Sequence, residues 1–153
     1  MKGQTMYDST KDTNEHRKSV RHFLSVAIMN LAERAENHDA SKVQQPEKEM
    51  FDKYTPLLRD TTYGSDEYKQ YLSEMGVALK HHYEMNSHHP EHYKNGINGM
   101  SLLDLIEMFC DWQAACLRHA DGDIKKSIEI NRKRFGMGDQ LCEIFYNTLI
   151  ELW

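Results

Sequence analysis

The chain has 153 residues, which is the length of one domain with a single sizeable core. Hydrophobic residues make up 39% and charged residues 28%, which is typical of a folded protein and excludes a disordered chain. The net charge of −5 argues against broad binding to nucleic acid or to anionic membranes. No run approaches the roughly 18 apolar residues of a membrane span, and the N-terminus lacks the apolar core of a signal peptide. We therefore expect a cytoplasmic protein, with reduced core thiols at Cys110, Cys116 and Cys142.

Helical periodicity fills the first half of the chain, and no strand-like alternation competes with it. The apolar positions between Val20 and Leu31 predict a first amphipathic helix over roughly residues 10–36. Pro46 fits the start of a second helix over about 46–59. Ser65 is a suitable N-cap for a third helix, which ends in a histidine-rich segment.

The second half predicts three more helices, each with a marker at its start. Ser101 caps a helix that reaches about residue 120, Asp123 caps one that Gly136 stops, and Asp139 caps the last, which ends near residue 153. The prediction is an all-α, single-domain bundle of about six helices over 1–153, with residues 1–10 flexible. The last two helices offer a candidate homodimer face through Phe135, Phe145 and Trp153.

Histidine is the unusual residue: there are nine, and five lie between His81 and His92. The apolar stripe of the third helix continues at steps of three and four to His82, so His82 and not His81 is expected to point inward. His88, His89 and His92 follow in a turn that contains Pro90 and Glu91. A dense group of histidines is either a surface accident or a metal or anion site, and the inward position of His82 favours the site.

Two earlier positions carry ligand-type side chains. His16 lies on the predicted buried stripe of the first helix, where a lone histidine is more often a packing residue than a ligand. His38 and Asp39 end that helix, as a simple cap or as adjacent metal ligands, and Lys42 lies one turn further on, where it can meet a phosphate.

The fourth helix has one narrow acidic stripe. Asp104, Glu107 and Asp111 fall within about 60° of one another at 100° per residue, and apolar residues cover much of the rest. The stripe is either a thin solvated edge or a set of carboxylates aimed into a polar site, where a cation offsets their repulsion. Arg118 lies further along the same helix.

The order of a histidine, a His-Asp pair, a histidine group and a late aspartate resembles the HD superfamily of metal-dependent phosphohydrolases, which are all-α proteins. That resemblance implies that four residues hold a first metal ion: His16, His38, Asp39 and Asp104. It also implies that His82 and His89, with His92 as a further candidate, hold a second ion or contact phosphate. The late aspartate is ambiguous between Asp104 and Asp111.

A closer similarity covers about residues 13–150 and is to a small uncharacterised family of bacteriophage and bacterial genomes. It rests on the motifs HDxSK at His38, NxHHPEH at Asn86, DLIEM at Asp104 and DW at Asp111. Similarity to that family does not predict any particular activity. If the chain is phage-encoded, the expected compartment is the host cytoplasm.

Together these features predict a metal-dependent phosphohydrolase that acts on a nucleotide or another small phosphate ester. One or two divalent ions (Mn, Fe, Ni, Co, Zn or Mg) are the expected cofactor. Lys42 or Arg118 is expected to offset phosphoryl charge, and Glu91 or Glu107 to relay a proton. Two alternatives remain open, a non-catalytic metal- or nucleotide-binding module and a phage protein that binds a host protein.

Overall fold

A computed structural model describes residues 7–118 and 122–152 of the chain. The described residues form six α-helices, which confirms the all-α prediction, and no strand occurs among them. The helices are α1 (Thr10–Asn37), α2 (Lys48–Arg59), α3 (Asp66–Met85), α4 (Leu102–Cys116), α5 (Ile124–Phe135) and α6 (Asp139–Leu152). Three short 3-10 helices span Ala40–Val43, Pro90–His92 and Gly96–Gly99. Within the described ranges, no helix is long and apolar enough to cross a membrane.

The predicted caps define most of the helix boundaries. The Ser65 side chain accepts a hydrogen bond from the Tyr68 amide, and Asp123 accepts from the Lys125 amide at the start of α5. Gly136 ends α5 with a left-handed φ of 63°, a conformation that glycine adopts without steric cost. These local signals work because each satisfies backbone groups that a helix end leaves without partners.

Some predicted boundaries differ from the structure. The helix α2 begins at Lys48, two residues after Pro46, and α6 includes Asp139 rather than starting after it. The helix α4 ends at Cys116, short of residue 120, and residues 119 and 120 lie outside the described part of the chain. Most of the predicted flexible N-terminus, residues 1–6, lies outside it as well.

The chain divides into two units, of which the first is Met1–Glu36 and the second Asn37–Trp153. The described part of the first unit is the helix α1, and none of its residues is buried. The predicted buried stripe is therefore exposed, with Phe23 at 70% and Ile28 at 65% of their full accessibility. In the described part of this unit, no second element covers the apolar face of α1.

Helices α4, α5 and α6 enclose the apolar core of the second unit. Phe109 stacks on Phe145 with ring centroids 4.6 Å apart, and Trp112 stacks on Phe135 at 6.4 Å. Phe145 is 4% exposed, so the prediction that it forms a dimer face is wrong, and Trp153 lies outside the described residues. The expectation of three core thiols holds for Cys142 alone, because Cys116 is half-buried and Cys110 is exposed.

Candidate metal centre

His38 and Asp39 follow the end of α1, and Asp39 has an unusual backbone conformation. Asp39 has φ 55° and ψ 17°, in the left-handed region, and it caps the 3-10 helix Ala40–Val43. Short polar residues such as aspartate tolerate this conformation better than most side chains do. The two side chains lie close together, with His38 Nε2 3.5 Å from Asp39 Oδ2.

The histidine-rich segment supplies three more imidazoles. His82, near the end of α3, and His88, in the turn that follows, are each 1% exposed. His89 precedes the 3-10 helix Pro90–His92, and its Nε2 lies 2.9 Å from His82 Nε2. The prediction that His82 points inward is confirmed, and the neighbouring His81 is half-buried.

Six side chains form two groups whose ligand atoms lie close enough to hold a metal ion. The ligand atoms of each group lie within 4.8 Å of one another. The first group is Asp39, His82, His88 and His89, and the second is His38, His88 and Asp111. His88 belongs to both groups. The structure thus contains a largely buried His/Asp group able to hold a metal ion.

Carboxylates at the back of the imidazoles fix their tautomers. His82 Nδ1 lies 2.9 Å from Glu47 Oε2, and Glu47 is fully buried. A carboxylate only accepts hydrogen bonds, so Nδ1 must carry the proton and Nε2 the lone pair. Glu107 Oε1 has the same role for two rings, at 2.9 Å from His38 Nδ1 and 3.1 Å from His88 Nδ1. A carboxylate behind a histidine that presents its second nitrogen is the usual arrangement around a metal.

Two buried polar atoms test whether a cation fits this space. Among the described residues, Asp39 Oδ1 and His88 Nε2 are buried without a hydrogen-bond partner. They lie 3.5 Å apart, and His82 Nε2 is 3.3 Å from the same Asp39 oxygen. Polar atoms buried without partners are costly, and a shared cation satisfies an oxygen and two imidazole nitrogens at once. The residues present therefore fit a divalent ion of the first transition row.

Charge and burial act oppositely on two of the histidines. Asp111 and Glu107, together with the field of Asp39, raise the pKa of His38 to about 10 despite partial burial. For His89, burial together with the neighbouring His88 and His82 outweighs the field of Asp111 and lowers the pKa to about 2. In metal-free protein near neutral pH, a proton therefore resides on His38, between the carboxylates, while His89 is neutral.

The acidic stripe of α4 divides between two roles. Asp111 Oδ1 lies 3.7 Å from His38 Nε2, and Glu107 holds the Nδ1 atoms of two rings. Burial opposes ionisation of Asp111, but the neighbouring His38 and Lys42 lower its pKa to about 2. The stripe faces inward here, so the interpretation as a solvated edge is wrong for these two residues.

The prediction of Asp104 as a metal ligand is corrected by its contacts. Its carboxylate accepts hydrogen bonds from the Ser101 amide and hydroxyl, from Ser87 Oγ and from Tyr93 Oη, at 2.7 to 2.8 Å. With Ser101 it forms a capping box that starts α4. Burial opposes ionisation, but these donors hold the pKa of Asp104 well below its ordinary value. Asp104 stabilises the start of α4, whereas Asp111 belongs to a group that could hold a metal ion.

Of the remaining predicted site residues, Lys42 alone is shown beside the two ligand groups. Lys42 Nζ bonds the second oxygen of Asp39, so it borders the centre. Glu91 is paired with Arg134 at 2.6 Å, and His92 is exposed with its Nδ1 3.1 Å from a backbone oxygen of Tyr83. These contacts give Glu91 and His92 roles outside the two ligand groups. Two further candidates are exposed: Arg118 in the turn after α4, and His16 on α1 in the first unit.

Sequence reasoning did not assign two residues on which the centre depends. His88 was part of the histidine group, but no periodicity distinguishes it from His89 in an irregular turn. Glu47 accepts hydrogen bonds from His82, His81 and Ser41 and lies just before α2. Acidic residues are common at helix N-termini, so its position in the sequence does not indicate a further role. The capping box did have a sequence signal, the serine and aspartate at Ser101 and Asp104.

The family described as "Family of unknown function (DUF5662)" matches residues 5–151, and the chain belongs to that family. No curated protein and no solved structure matches the chain.

Proposed function

We propose that this DUF5662 protein is a metal-dependent phosphohydrolase acting on a nucleotide or another small phosphate ester. One observation carries the proposal: three buried or half-buried imidazoles rest their Nδ1 atoms on carboxylates and turn Nε2 toward Asp39 or Asp111. Packing alone does not require this arrangement, whereas a ligand set oriented by carboxylates does. The resemblance to HD phosphohydrolases adds the reaction class.

The six ligand side chains allow two ways of holding ions. His88 Nδ1 faces Glu107, so a single nitrogen of that ring is left for an ion. If His88 joins the first group, one ion has four protein ligands. If it joins His38 and Asp111, two sets of three residues hold two ions. Three protein ligands leave a position for water or substrate, which is the arrangement of catalytic sites.

A bound divalent ion supplies Lewis acidity, which polarises a phosphoryl oxygen and lowers the pKa of water toward neutrality. The chain adds positive charge through Lys42, whose ammonium lies beside Asp39 and 5.1 Å from the ring centre of Phe51. Lys42 is partly exposed, so its remaining donors are placed to bind phosphoryl oxygens that enter from solvent. This is the role expected for it from its position one turn after the His-Asp pair.

The carboxylates behind the rings have a positioning role in this proposal. Glu47 and Glu107 each receive two imidazole Nδ1 atoms, so their oxygens are engaged in holding ligands. Glu107 is therefore a positioning residue rather than the proton relay expected from the sequence. Glu91 binds Arg134 and is not proposed as a relay either.

A second candidate function is a metal-binding module without catalysis. The observation that favours it is the burial of His82 and His88, each 1% exposed, within a group of four potential ligands. Four protein ligands close the shell around an ion, which is typical of structural metal sites. The two candidates differ in the number of ions and in turnover.

The first experiment measures metal content of tag-free protein by elemental analysis. Protein purified without added metal is expected to retain a first-row transition metal at about one or two ions per chain. His88→Gln is expected to lose most of it, because this ring belongs to both groups. His92→Gln is the matched control, since it removes an exposed histidine four residues away. Equal metal content in both variants would contradict the centre.

The second experiment measures turnover. Protein loaded with Mn²⁺, Mg²⁺, Ni²⁺ or Co²⁺ is incubated with nucleoside mono- and triphosphates and with p-nitrophenyl phosphate, and released phosphate and pyrophosphate are measured. We expect metal-dependent release that Asp111→Asn lowers at least a hundredfold and His92→Gln leaves unchanged. Metal-loaded protein that is silent across the panel would favour the non-catalytic module.

A further inference from the structure

A tyrosine beside the candidate metal centre is bonded to a guanidinium, and the proposed chemistry uses neither group. Arg134, in the last turn of α5, donates from Nη2 to Tyr83 Oη at 3.3 Å. The Tyr83 ring in turn packs on the ring of His89, with centroids 4.9 Å apart. One tyrosine therefore links a ligand of the centre to a permanent positive charge.

Two more tyrosines belong to the same neighbourhood. Tyr63 and Tyr68 pack edge to face with ring centroids 5.1 Å apart. Tyr63 interacts electrostatically with Tyr83 and Arg134, and the charge of Arg134 in turn acts on Tyr68. Asp111 of the metal centre also acts on Tyr68. We call Tyr63, Tyr68 and Tyr83 the tyrosine cluster.

These groups have the chemistry of an anion site. A tyrosine phenol is neutral near neutral pH, and its hydroxyl can donate a hydrogen bond to an anion. Arginine supplies five N–H donors in a planar fork, which suits phosphate and carboxylate. The arrangement therefore offers one fixed positive charge beside a neutral hydroxyl, that of Tyr83.

The present partner of Arg134 is itself a carboxylate. Glu91 Oε1 lies 2.6 Å from Arg134 Nη2, with side chains 29% and 40% exposed. An ion pair this open to solvent contributes little to stability, so a ligand anion can replace it. Glu91 thus marks a position that an anionic oxygen occupies next to the guanidinium.

We propose that Arg134 and the tyrosine cluster form a subsite for a second anionic group, phosphate or carboxylate, of the ligand whose phosphoryl group is held at the metal centre. This inference rests on the proposed function for the position of the first group. It narrows the substrate class to phosphate esters that carry a second negative charge.

The test compares non-hydrolysable ligands with one or two anionic heads by isothermal titration calorimetry. The probes are propylphosphonate, 4-phosphonobutyrate and propane-1,3-bisphosphonate, each titrated into Mn²⁺-loaded full-length protein. We expect the two-headed probes to bind about tenfold to a hundredfold more tightly, which matches charge-assisted hydrogen bonds to one guanidinium. The carboxylate and bisphosphonate probes separate the two kinds of second group.

Variants assign the gain to Arg134. Arg134→Gln is expected to remove the advantage of the two-headed probes and leave propylphosphonate binding unchanged. Lys133→Gln is the matched control, because it removes the same charge from the neighbouring exposed residue. Tyr83→Phe is expected to lower the two-headed affinity about threefold. Glu91→Gln is expected to raise it, whereas a purely structural ion pair predicts no change in affinity.

The same titrations with chelator separate this inference from the proposed function. Binding of the bisphosphonate that depends on Arg134 is expected to persist without metal, more weakly, because one head still reaches the subsite. One outcome would contradict the proposed metal-dependent function and leave the subsite in place: propylphosphonate does not bind Mn²⁺-treated protein, but bisphosphonate binding still depends on Arg134. If Arg134→Gln and Lys133→Gln bind every probe as the wild type does, the subsite is wrong.

Discussion

The second unit contains two interiors of opposite character, and α4 contributes to both. One side of this helix places Met108, Phe109 and Trp112 in the apolar core with α5 and α6. Another side places Glu107 and Asp111 against the histidines of the metal centre. The apolar core is complete within the polypeptide, because its side chains are satisfied by contact with one another. In the part of the chain that the structure describes, the candidate metal centre instead holds two buried polar atoms without hydrogen-bond partners, Asp39 Oδ1 and His88 Nε2.

The largest expected effect is on the apolar core. Phe109→Ala removes a ring that is 3% exposed and stacked on Phe145, so we expect a loss of about 3–5 kcal/mol in the free energy of unfolding. Urea unfolding in chelator measures it. Leu102→Ala, at a residue 78% exposed on the same helix, is the control and is expected to stay within about 0.5 kcal/mol of wild type. Equal losses would mean that Phe109 does not anchor this core.

The metal centre is expected to respond to its cation instead. Mn²⁺ at about a hundred times its dissociation constant adds about 2.7 kcal/mol to the stability of a protein that binds it only when folded. Relative to its own baseline in chelator, Asp111→Asn is expected to lose most of this increment, because an amide replaces a carboxylate of the second ligand group. Thermal melts with chelator and with Mn²⁺ measure the baseline and the increment. An increment as large as that of wild type would exclude Asp111 as a ligand.

Asp104, two turns before Asp111 on the same face, is expected to behave in the opposite way. Asp104→Asn weakens the capping box and puts an amide where donors converge, so we expect a loss of about 1–3 kcal/mol. The loss should be the same in chelator and in Mn²⁺, with the metal increment retained. The exposed Asp66→Asn is the control. A lost metal increment in Asp104→Asn would restore Asp104 as a ligand.

The smallest effect is a change of the Asp104 contribution with pH. Its folded pKa lies below the value of about 3.9 for an unfolded aspartate, because donors from Ser101, Ser87 and Tyr93 outweigh burial. The carboxylate therefore stabilises the fold fully above about pH 4, and this contribution is lost as pH falls through the folded pKa. The stability difference between wild type and Asp104→Asn, measured by urea unfolding in chelator, should be constant from pH 7 to 5 and smaller at pH 3. A difference that grows toward pH 3 would contradict the lowered pKa.

The helices were predictable because their signals are local. Ser65, Ser101, Asp123 and Gly136 each act on backbone groups within a few residues, so the sequence alone places those ends closely. The failure on α1 has the opposite cause. Its apolar spacing predicts a buried face, but burial depends on a second element that periodicity does not specify.

The candidate site was predictable only in part for a similar reason. His38, Asp39 and His82 could be assigned from a helix end and from a helical face. Asp104 and Asp111 are seven residues apart on one face of α4, so their spacing does not show which of them caps the helix and which is a candidate ligand. Glu47 reaches His82 across 35 positions of the chain, and one sequence carries no signal for such a contact.

The left-handed backbone of Asp39 makes substitutions there informative about strain as well as charge. Asparagine also adopts this conformation readily, so Asp39→Asn is expected to remove the charge and leave the backbone preference nearly unchanged. Asp39→Ala removes the same charge and adds about 1–2 kcal/mol of backbone cost, which chelator-treated melts of the two variants should show as a difference. Asp39→Gly relieves that cost but loses the ligand. The comparison of asparagine with alanine therefore separates the cost of the left-handed backbone from the loss of the charge.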